Sequence, residues 1–368
     1  MDRTMRIAFD AKRAYHNTRG LGNYSRDVIR LLTSYAPDNE YFLLAKPTNK
    51  YVFPNTKTIS PQSLWSFCPS IWRSCGCVKE LRDMDVYWGL SGELPFGIHR
   101  LPIRKIVTIH DAIFIRYPEL YSASYRALFA RKVQYACDCA DVIIAISEQT
   151  KRDIIKFFHA DESKIRVVYQ GCNNCYREPI LDSQINSVRL RYNLPEQYIL
   201  TVGAIEPRKN LRNLINAMGG EHIDIPLIAV GGKSAYATQM ATLAKENGVD
   251  LRFIHGIPLA DLPAVYKGAT VFCYPSIFEG FGIPILESMC VGTPVLTSTG
   301  SCFAETGGDA ARYANPLVPE DIGTQLRHIL DDATEREKMI SQGFEQAAYF
   351  RDDQVAANLV RVVLSEQV

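Results

Sequence analysis

Two α/β domains in series, each a doubly wound, Rossmann-like parallel sheet covered by helices, are what this sequence predicts. Three observations carry that expectation. Short apolar runs alternate with longer amphipathic stretches, the pattern of repeated strand–helix units. The alternation halts between Gly171 and Pro195 and then restarts. The chain, at 368 residues, is long for one hydrophobic core and ordinary for two.

In the first half, Arg6–Phe9 reads as the opening strand. Asn23–Ser34 follows as a helix, with Val28, Leu31 and Leu32 at helical spacing. Tyr41–Ala45, Val86–Trp88, Lys105–Ile109, Val142–Ile146 and Arg166–Tyr169 supply further strands, and Ser124–Cys137 a helix. Ser147 is placed to cap a helix through Phe158, which carries Asp153 and Lys156 on its polar face. The stretch from Gly171 to Pro195 is polar and reads as irregular, so the domain boundary is expected there. Beyond it, Tyr198–Val202, Pro226–Val230, Leu251–Ile254, Val271–Tyr274 and Pro294–Thr297 read as strands. Asn210–Met218, Ala235–Asn247, Leu259–Lys267 and Pro284–Val291 read as the helices between them, and the sequence is helical from Pro319 onward. Ligands of such sheets bind outside the carboxyl ends of the strands, so a cleft between the two domains is the expected site.

Composition narrows the function classes. An apolar fraction of 47% and a charged fraction of 22% fit a globular protein in water, and a net charge of +1 gives no global field toward nucleic acid. The charged start, Met1-Asp2-Arg3-Thr4-Met5-Arg6, is unlike a secretory signal, and no apolar run reaches the length of a membrane span. The expected location is therefore the cytoplasm, with peripheral contact at the inner face of the membrane left open. The ten cysteines read as free thiols, with Cys273 and Cys290 as buried small hydrophobes. Cys172 and Cys175 have zinc-knuckle spacing but lack a second pair.

Phe278-Glu279-Gly280-Phe281-Gly282-Ile283-Pro284 carries the most chemistry. It follows a strand ending near Tyr274. Gly280 and Gly282 permit close backbone approach, and Pro284 suits the start of a helix. A helix N-terminus there offers free N–H groups and the positive end of the dipole to an anion. Glu279 precedes the helix and Glu287 lies about one turn into it, so both are expected to face one pocket. Arg208 and Lys209 sit in the loop after the strand Tyr198–Val202, an expected place for groups that bind a phosphate.

The chain resembles the family 4, or group 1, retaining glycosyltransferases, which have the GT-B fold. Glu279 and Glu287 match that family's Glu-x7-Glu signature. Gly20-Leu21-Gly22-Asn23-Tyr24-Ser25 looks like its N-terminal glycine loop. His110-Asp111 followed by Tyr117-Pro118-Glu119, Ala145-Ile146-Ser147-Glu148, Val202-Gly203-Ala204-Ile205-Glu206-Pro207-Arg208-Lys209-Asn210-Leu211 and Val230-Gly231-Gly232 match in order along nearly the whole chain. Two places depart from the pattern. Tyr349-Phe350-Arg351-Asp352-Asp353 stands where many members carry a Trp, and Cys302-Phe303-Ala304-Glu305 replaces a more usual Ser-Leu-Pro-Glu.

The resemblance implies an acceptor-binding domain over residues 1–175, a donor-binding domain over 176–348, and a terminal helix within 349–368 that crosses back to the first domain. It implies a nucleotide-sugar donor and no metal or other cofactor. Arg208 and Lys209 are expected on the diphosphate, where charge develops as the donor breaks. Glu279 and His110 are expected at the transferred sugar, and Glu287 on the ribose hydroxyls. Gly22, Gly203, Gly280, Phe281, Gly282 and Ile283 are expected to line the donor site through their backbone. The resemblance is strongest to mannosyltransferases using GDP-mannose, enzymes of lipopolysaccharide and other surface polysaccharides, with a glycan or lipid-linked acceptor.

Other motifs are declined. Asp83-Met84-Asp85 has the form of a metal site but reads as a junction into the strand at Val86. Gly231-Gly232-Lys233-Ser234 lacks the upstream glycine of a P-loop, since Leu227 stands there. Gly20-Leu21-Gly22 lacks the third glycine and the strand context of a dinucleotide fingerprint, which argues against a nicotinamide-dependent oxidoreductase. A non-catalytic nucleotide-sugar-binding subunit is the other alternative, and the presence of Glu279, Arg208, Lys209 and Glu287 together argues against it.

Overall fold

The computed structural model describes residues 4–364 and divides them into two compact units. One comprises the chain up to Gln170 together with the helix Asp352–Leu364, and the other is Gly171–Arg351. The first unit holds a parallel sheet of seven strands. In chain order these are β1 (Arg6–Asp10), β2 (Glu40–Leu44), β3 (Thr56–Ile59), β4 (Val86–Gly89), β5 (Arg104–Ile109), β6 (Val142–Ala145) and β7 (Ile165–Val167), arranged β3-β2-β1-β4-β5-β6-β7. The second unit holds β8 (Ile199–Val202), β9 (Leu227–Val230), β10 (Leu251–Ile254), β11 (Val271–Tyr274), β12 (Val295–Ser298) and β13 (Ala311–Ala314), arranged β10-β9-β8-β11-β12-β13. Strand order reverses between β1 and β4 and again between β8 and β11, so each sheet has a switch point of the kind at which ligands bind.

The central strands read as unbroken apolar runs because helices cover both their faces. Every residue of β4, β6, β9, β11 and β12 is buried. Two edge strands, β3 and β13, escape a reading based on apolar runs. Thr56–Ile59 is only partly buried, and Ala311–Ala314 has a single buried residue. The interval between Gly171 and Pro195, expected to be irregular, contains the helix Asp182–Tyr192. Val188 is its only buried side chain, and Leu190 is exposed, so no apolar stripe betrays it.

Asp153 corrects a second expectation. Ser147 does cap the helix Glu148–Phe158, accepting from Thr150 N at 3.0 Å. Lys156 is exposed, but Asp153 is buried, ion-paired with Arg116 and bonded by Gln149 Nε2 at 2.9 Å. The helical wheel made Asp153 a solvent residue because its partner lies 37 positions away.

The Gly20–Gly22 segment is not a loop. It forms the first turn of the helix Gly20–Tyr35. At Gly22 a side-chain carbon would lie 1.8 Å from the Asn17 carbonyl oxygen, so glycine is required there by the chain's own backbone. Gly22→Ala is expected to destabilise the first unit by about 2 kcal/mol, since the obstructing atom is backbone and cannot rotate away. Thermal unfolding checks this, and an unshifted transition would remove the steric account. The helix continues to Tyr35, where Arg30 Nη1 meets Asp352 Oδ2 at 2.8 Å and joins it to the terminal helix.

Asp10, at the end of β1, begins a buried ionic network. Arg73 Nη1 donates to Asp10 Oδ2 at 2.6 Å, and its Nη2 donates to Glu93 Oε2 at 2.7 Å. Lys132 Nζ reaches the same Glu93 oxygen at 2.9 Å. At the declined Asp-x-Asp, Asp85 Oδ2 accepts from Arg6 N at 2.8 Å, consistent with a junction into β4.

Candidate active site

In the second unit, the loops after the adjacent strands β8 and β11 bring together residues about seventy positions apart. Pro207–Lys209 forms a single 3-10 turn, and Asn210, at φ +61°, reverses the chain into the helix Leu211–Gly220. Asn210 Nδ2 donates to Pro275 O at 3.0 Å and to Pro316 O at 2.6 Å. Arg208 Nη1 donates to Phe278 O at 2.7 Å, and Ile277 N donates to Arg208 O at 2.9 Å. The two loops are thus bonded to each other through their backbones.

Glu279 lies at the centre. Its Oε1 is 2.8 Å from Arg208 Nη1 and 2.5 Å from Lys209 Nζ. Lys209 Nζ also donates to the Tyr274 hydroxyl at 2.6 Å and stands 4.8 Å from that ring's centroid. Burial opposes charge on Glu279, but Lys209 and Arg208 outweigh it and hold the carboxyl down at about 2. Arg208 is buried too, yet Glu279 and Glu206 hold it firmly in its charged form. Two cations and a carboxylate are therefore fixed in place where the backbone of β11 ends.

The backbone of Glu279 is held from the loop after β12. Glu279 N donates to Ser301 Oγ at 3.2 Å, Ser301 Oγ donates to Glu279 O at 3.0 Å, and Cys302 Sγ lies 3.3 Å from the same carbonyl. Gly282, at φ +97°, caps the helix Ile283–Cys290, and no side chain caps it. That conformation suits glycine, and the uncapped first turn leaves an end attractive to an anion. The Phe281 ring packs inward, 5.5 Å from the ring of Phe350, so only its backbone is suited to a ligand. Gly203, at φ +149°, sits 3.5 Å from Lys209 Cε, measured from the position a side-chain carbon would occupy.

Glu287 has a different environment from Glu279. The Tyr266 hydroxyl donates to its Oε2 at 2.9 Å. Burial raises its carboxyl to about 7, against the Tyr266 bond. The two carboxylates thus differ: cations hold Glu279 ionised, whereas burial pushes Glu287 up.

In the first unit, His110 follows β5. Its Nε2 is 2.9 Å from Leu90 O, and its ring meets the Tyr24 ring edge-on at 4.6 Å. Burial pushes it down to about 4, so at neutral pH the ring is uncharged. The carbonyl partner puts the proton on Nε2 and leaves Nδ1 as an acceptor. Tyr24 belongs to the same helix as Gly22, so Gly22 acts in this neighbourhood by letting the helix start beside Asn17.

Tyr274, Ser301, Cys302 and Tyr266 were not among the expected site residues. Tyr274, Ser301 and Cys302 lie at or just beyond strand carboxyl ends, a positional signal that could have marked them. Tyr266 carries no such signal. Among the described residues no group of three or more His, Cys, Asp or Glu side chains could hold a metal ion, and no helix is long and apolar enough to cross a membrane.

The two Rossmann-like sheets are those of a GT-B glycosyltransferase, and the chain belongs to the family 4, group 1 glycosyltransferases, hexosyltransferase-type enzymes. The family model Glycosyltransferase Family 4 matches residues 35–174, and Glycosyl transferases group 1 matches residues 182–346. The chain is 30% identical over 286 residues to O-antigen chain mannosyltransferase B of Escherichia coli, covering 76% of this chain and 73% of that one. It is 29% identical over 248 residues to O-antigen chain mannosyltransferase RfbU of Salmonella typhimurium strain LT2, covering 65% of each. Among solved structures, Anabaena Alr3699/HepE in complex with UDP superposes with a TM-score of 0.77 at 16% identity, over 98% of this chain and 99% of that one. WaaG, a glycosyltransferase involved in lipopolysaccharide biosynthesis, gives 0.74 at 16% identity, over 98% and 100%. At that identity the structural likeness speaks for the fold alone.

Proposed function

We propose that this protein transfers mannose from GDP-mannose to a glycan or lipid-linked acceptor of a surface polysaccharide, with retention of anomeric configuration. The observation that carries the reading is the grouping of Arg208, Lys209 and Glu279 beside the N-terminus of the helix Ile283–Cys290. Its kinship with two O-antigen mannosyltransferases supports mannose as the sugar. The acceptor hydroxyl attacks the anomeric carbon as the bond to the β-phosphate oxygen breaks. The hydroxyl proton passes to the departing phosphate. Arg208, Lys209 and the helix end stabilise the negative charge that develops there, and Gly203, Gly280, Phe281, Gly282 and Ile283 bring backbone up to the donor. Glu279 orients the sugar and needs no covalent bond to it. Glu287 binds the ribose hydroxyls, and neutral His110 offers Nδ1 to a sugar hydroxyl.

Donor profiling with GDP-mannose, UDP-glucose, UDP-N-acetylglucosamine and dTDP-rhamnose tests the sugar. GDP-mannose is expected to give the highest turnover, and preference for any other donor overturns the assignment. Arginine, lysine and a helix dipole take the place a divalent ion fills in other transferases, so EDTA is expected to leave the rate unchanged. A strict requirement for added Mg²⁺ or Mn²⁺ would refute that part.

A further inference from the structure

We propose that Ser301 is a positioning residue for Glu279, the central member of a row of hydroxyl and thiol side chains that holds the loop after β11 in its working shape. This rests on the reading of Glu279 as the carboxylate that orients the transferred sugar. The parallel pairing of β11 with β12 sets Phe272, Cys273 and Tyr274 beside Val295, Leu296 and Thr297. Beyond Tyr274, residues 275–282 are irregular, yet Ser276, Phe278 and Phe281 among them are buried. Carbonyls in such a buried stretch need donors from elsewhere.

Side chains between Thr297 and Thr306 supply them. Thr297 Oγ1 donates to Tyr274 O at 2.9 Å, and Ser298 Oγ donates to Ser276 O at 2.7 Å. Ser301 Oγ and Cys302 Sγ both reach Glu279 O, and Thr306 Oγ1 donates to Phe281 O. The contacts follow the same order along both segments. They therefore extend the register of β11 and β12 by side chain after the backbone pairing has stopped. Thr297, Ser298, Cys302 and Thr306 are buried, so little water competes for these bonds. Cys302, in place of a more usual Ser, still keeps a donor in the row.

Ser301 differs from the others in two ways. Its Oγ accepts from Glu279 N at 3.2 Å and donates to Glu279 O at 3.0 Å, which one hydroxyl can do at once. Its backbone lies at φ +50°, directly after Gly300 at φ +78°, in the left-handed region that a serine adopts only at a cost. Strain of that kind persists where neighbouring contacts over-determine it, and here the contacts are with the main chain of Glu279. With both its amide and its carbonyl held, Glu279 presents its carboxylate from a fixed origin, 2.8 Å from Arg208 Nη1 and 2.5 Å from Lys209 Nζ.

Ser301→Gly removes the hydroxyl and suits the left-handed backbone, so the protein should stay folded. Ser301→Ala removes the same hydroxyl but keeps the strain, and should unfold at a lower temperature than Ser301→Gly. Both should lower kcat about ten- to a hundredfold, the cost of displacing a group at the reacting centre by about 1 Å. Donor KM should change by no more than about twofold, because Arg208 and Lys209 remain. Wild-type kcat in a folded Ser301→Gly protein overturns the proposal. A double-mutant cycle then asks whether Ser301 acts through Glu279. In a Glu279→Gln background, Ser301→Gly should lower the residual turnover by less than about twofold. A full additive loss overturns the positioning role. A third measurement needs no ligand: hydrogen exchange at the Glu279 amide should quicken about tenfold in Ser301→Gly, for the loss of one hydrogen bond. Unchanged exchange overturns the hold on the main chain. If Glu279→Gln keeps wild-type turnover, the reading of Glu279 fails instead, and the exchange rate alone decides whether Ser301 holds it.

Discussion

Lys209→Ala is expected to lower sugar transfer by about a thousandfold and leave the protein folded. The ammonium stands beside the expected phosphate site and is held by Glu279 and Tyr274 at 2.5 and 2.6 Å. A fixed donor aimed at developing charge is worth about a hundred- to a thousandfold in rate, and this one carries a full charge in a largely buried setting. Stability should fall less, because Glu279 keeps its contact with Arg208. Initial rates with saturating donor, alongside thermal unfolding, check both halves. Wild-type turnover in a folded Lys209→Ala protein would remove the proposed site.

The same geometry implies that rate and nucleotide affinity separate at Glu279. Without ligand, its carboxylate occupies the two cations that the diphosphate would use. Glu279→Gln removes a negative charge from beside the incoming one. Free nucleoside diphosphate should then bind about tenfold tighter, by the Coulomb repulsion of two charges a few ångströms apart at a partly buried site. Transfer should nonetheless collapse, since the sugar loses its orienting carboxylate. Weaker nucleotide binding in this variant would mean that Glu279 helps to hold the diphosphate.

The fold was legible where burial wrote it into composition. β4, β6, β9, β11 and β12 are buried throughout, and all but β12, which ends in Thr297 and Ser298, are apolar runs in the sequence. The helix Asp182–Tyr192 was not, because one buried valine leaves no period to detect. Among the candidate site residues, Glu279, Gly280 and Gly282 share one segment and Arg208 and Lys209 another, and each segment follows a strand. Their companion Tyr266, which bonds Glu287, was hidden because a buried tyrosine reads as core. Only the direction of its hydroxyl, set by packing far away in the chain, reveals otherwise. Gly22 adds a constraint the sequence did not show: the glycine expected near a ligand also leaves room for the Asn17 carbonyl.

Arg73→Ala should be among the most destabilising single substitutions in the first unit, at about 3–5 kcal/mol, the usual cost of leaving buried charge without its partner. Arg73 bridges Asp10 and Glu93, whose side chains are 1% and 11% exposed. Lys132 can still reach Glu93, but among the described residues no other cation is seen to bond the buried oxygen Asp10 Oδ2. The melting transition of that unit should fall by about 10 °C. The pH dependence gives a second signature. Burial raises the Glu93 carboxyl, yet Arg73 and Lys132 outweigh it and leave it lower than usual. A depressed carboxyl contributes stability above its unfolded value and loses it as pH falls through the folded one. The gap between wild type and Arg73→Ala should therefore narrow on acidification below about 4.5, as Glu93 takes up a proton in both. A pH-independent gap would mean that Arg73 acts through packing alone. Arg73→Lys should fall between the two, because one compact ammonium cannot span two carboxylates that a planar guanidinium holds at 2.6 and 2.7 Å.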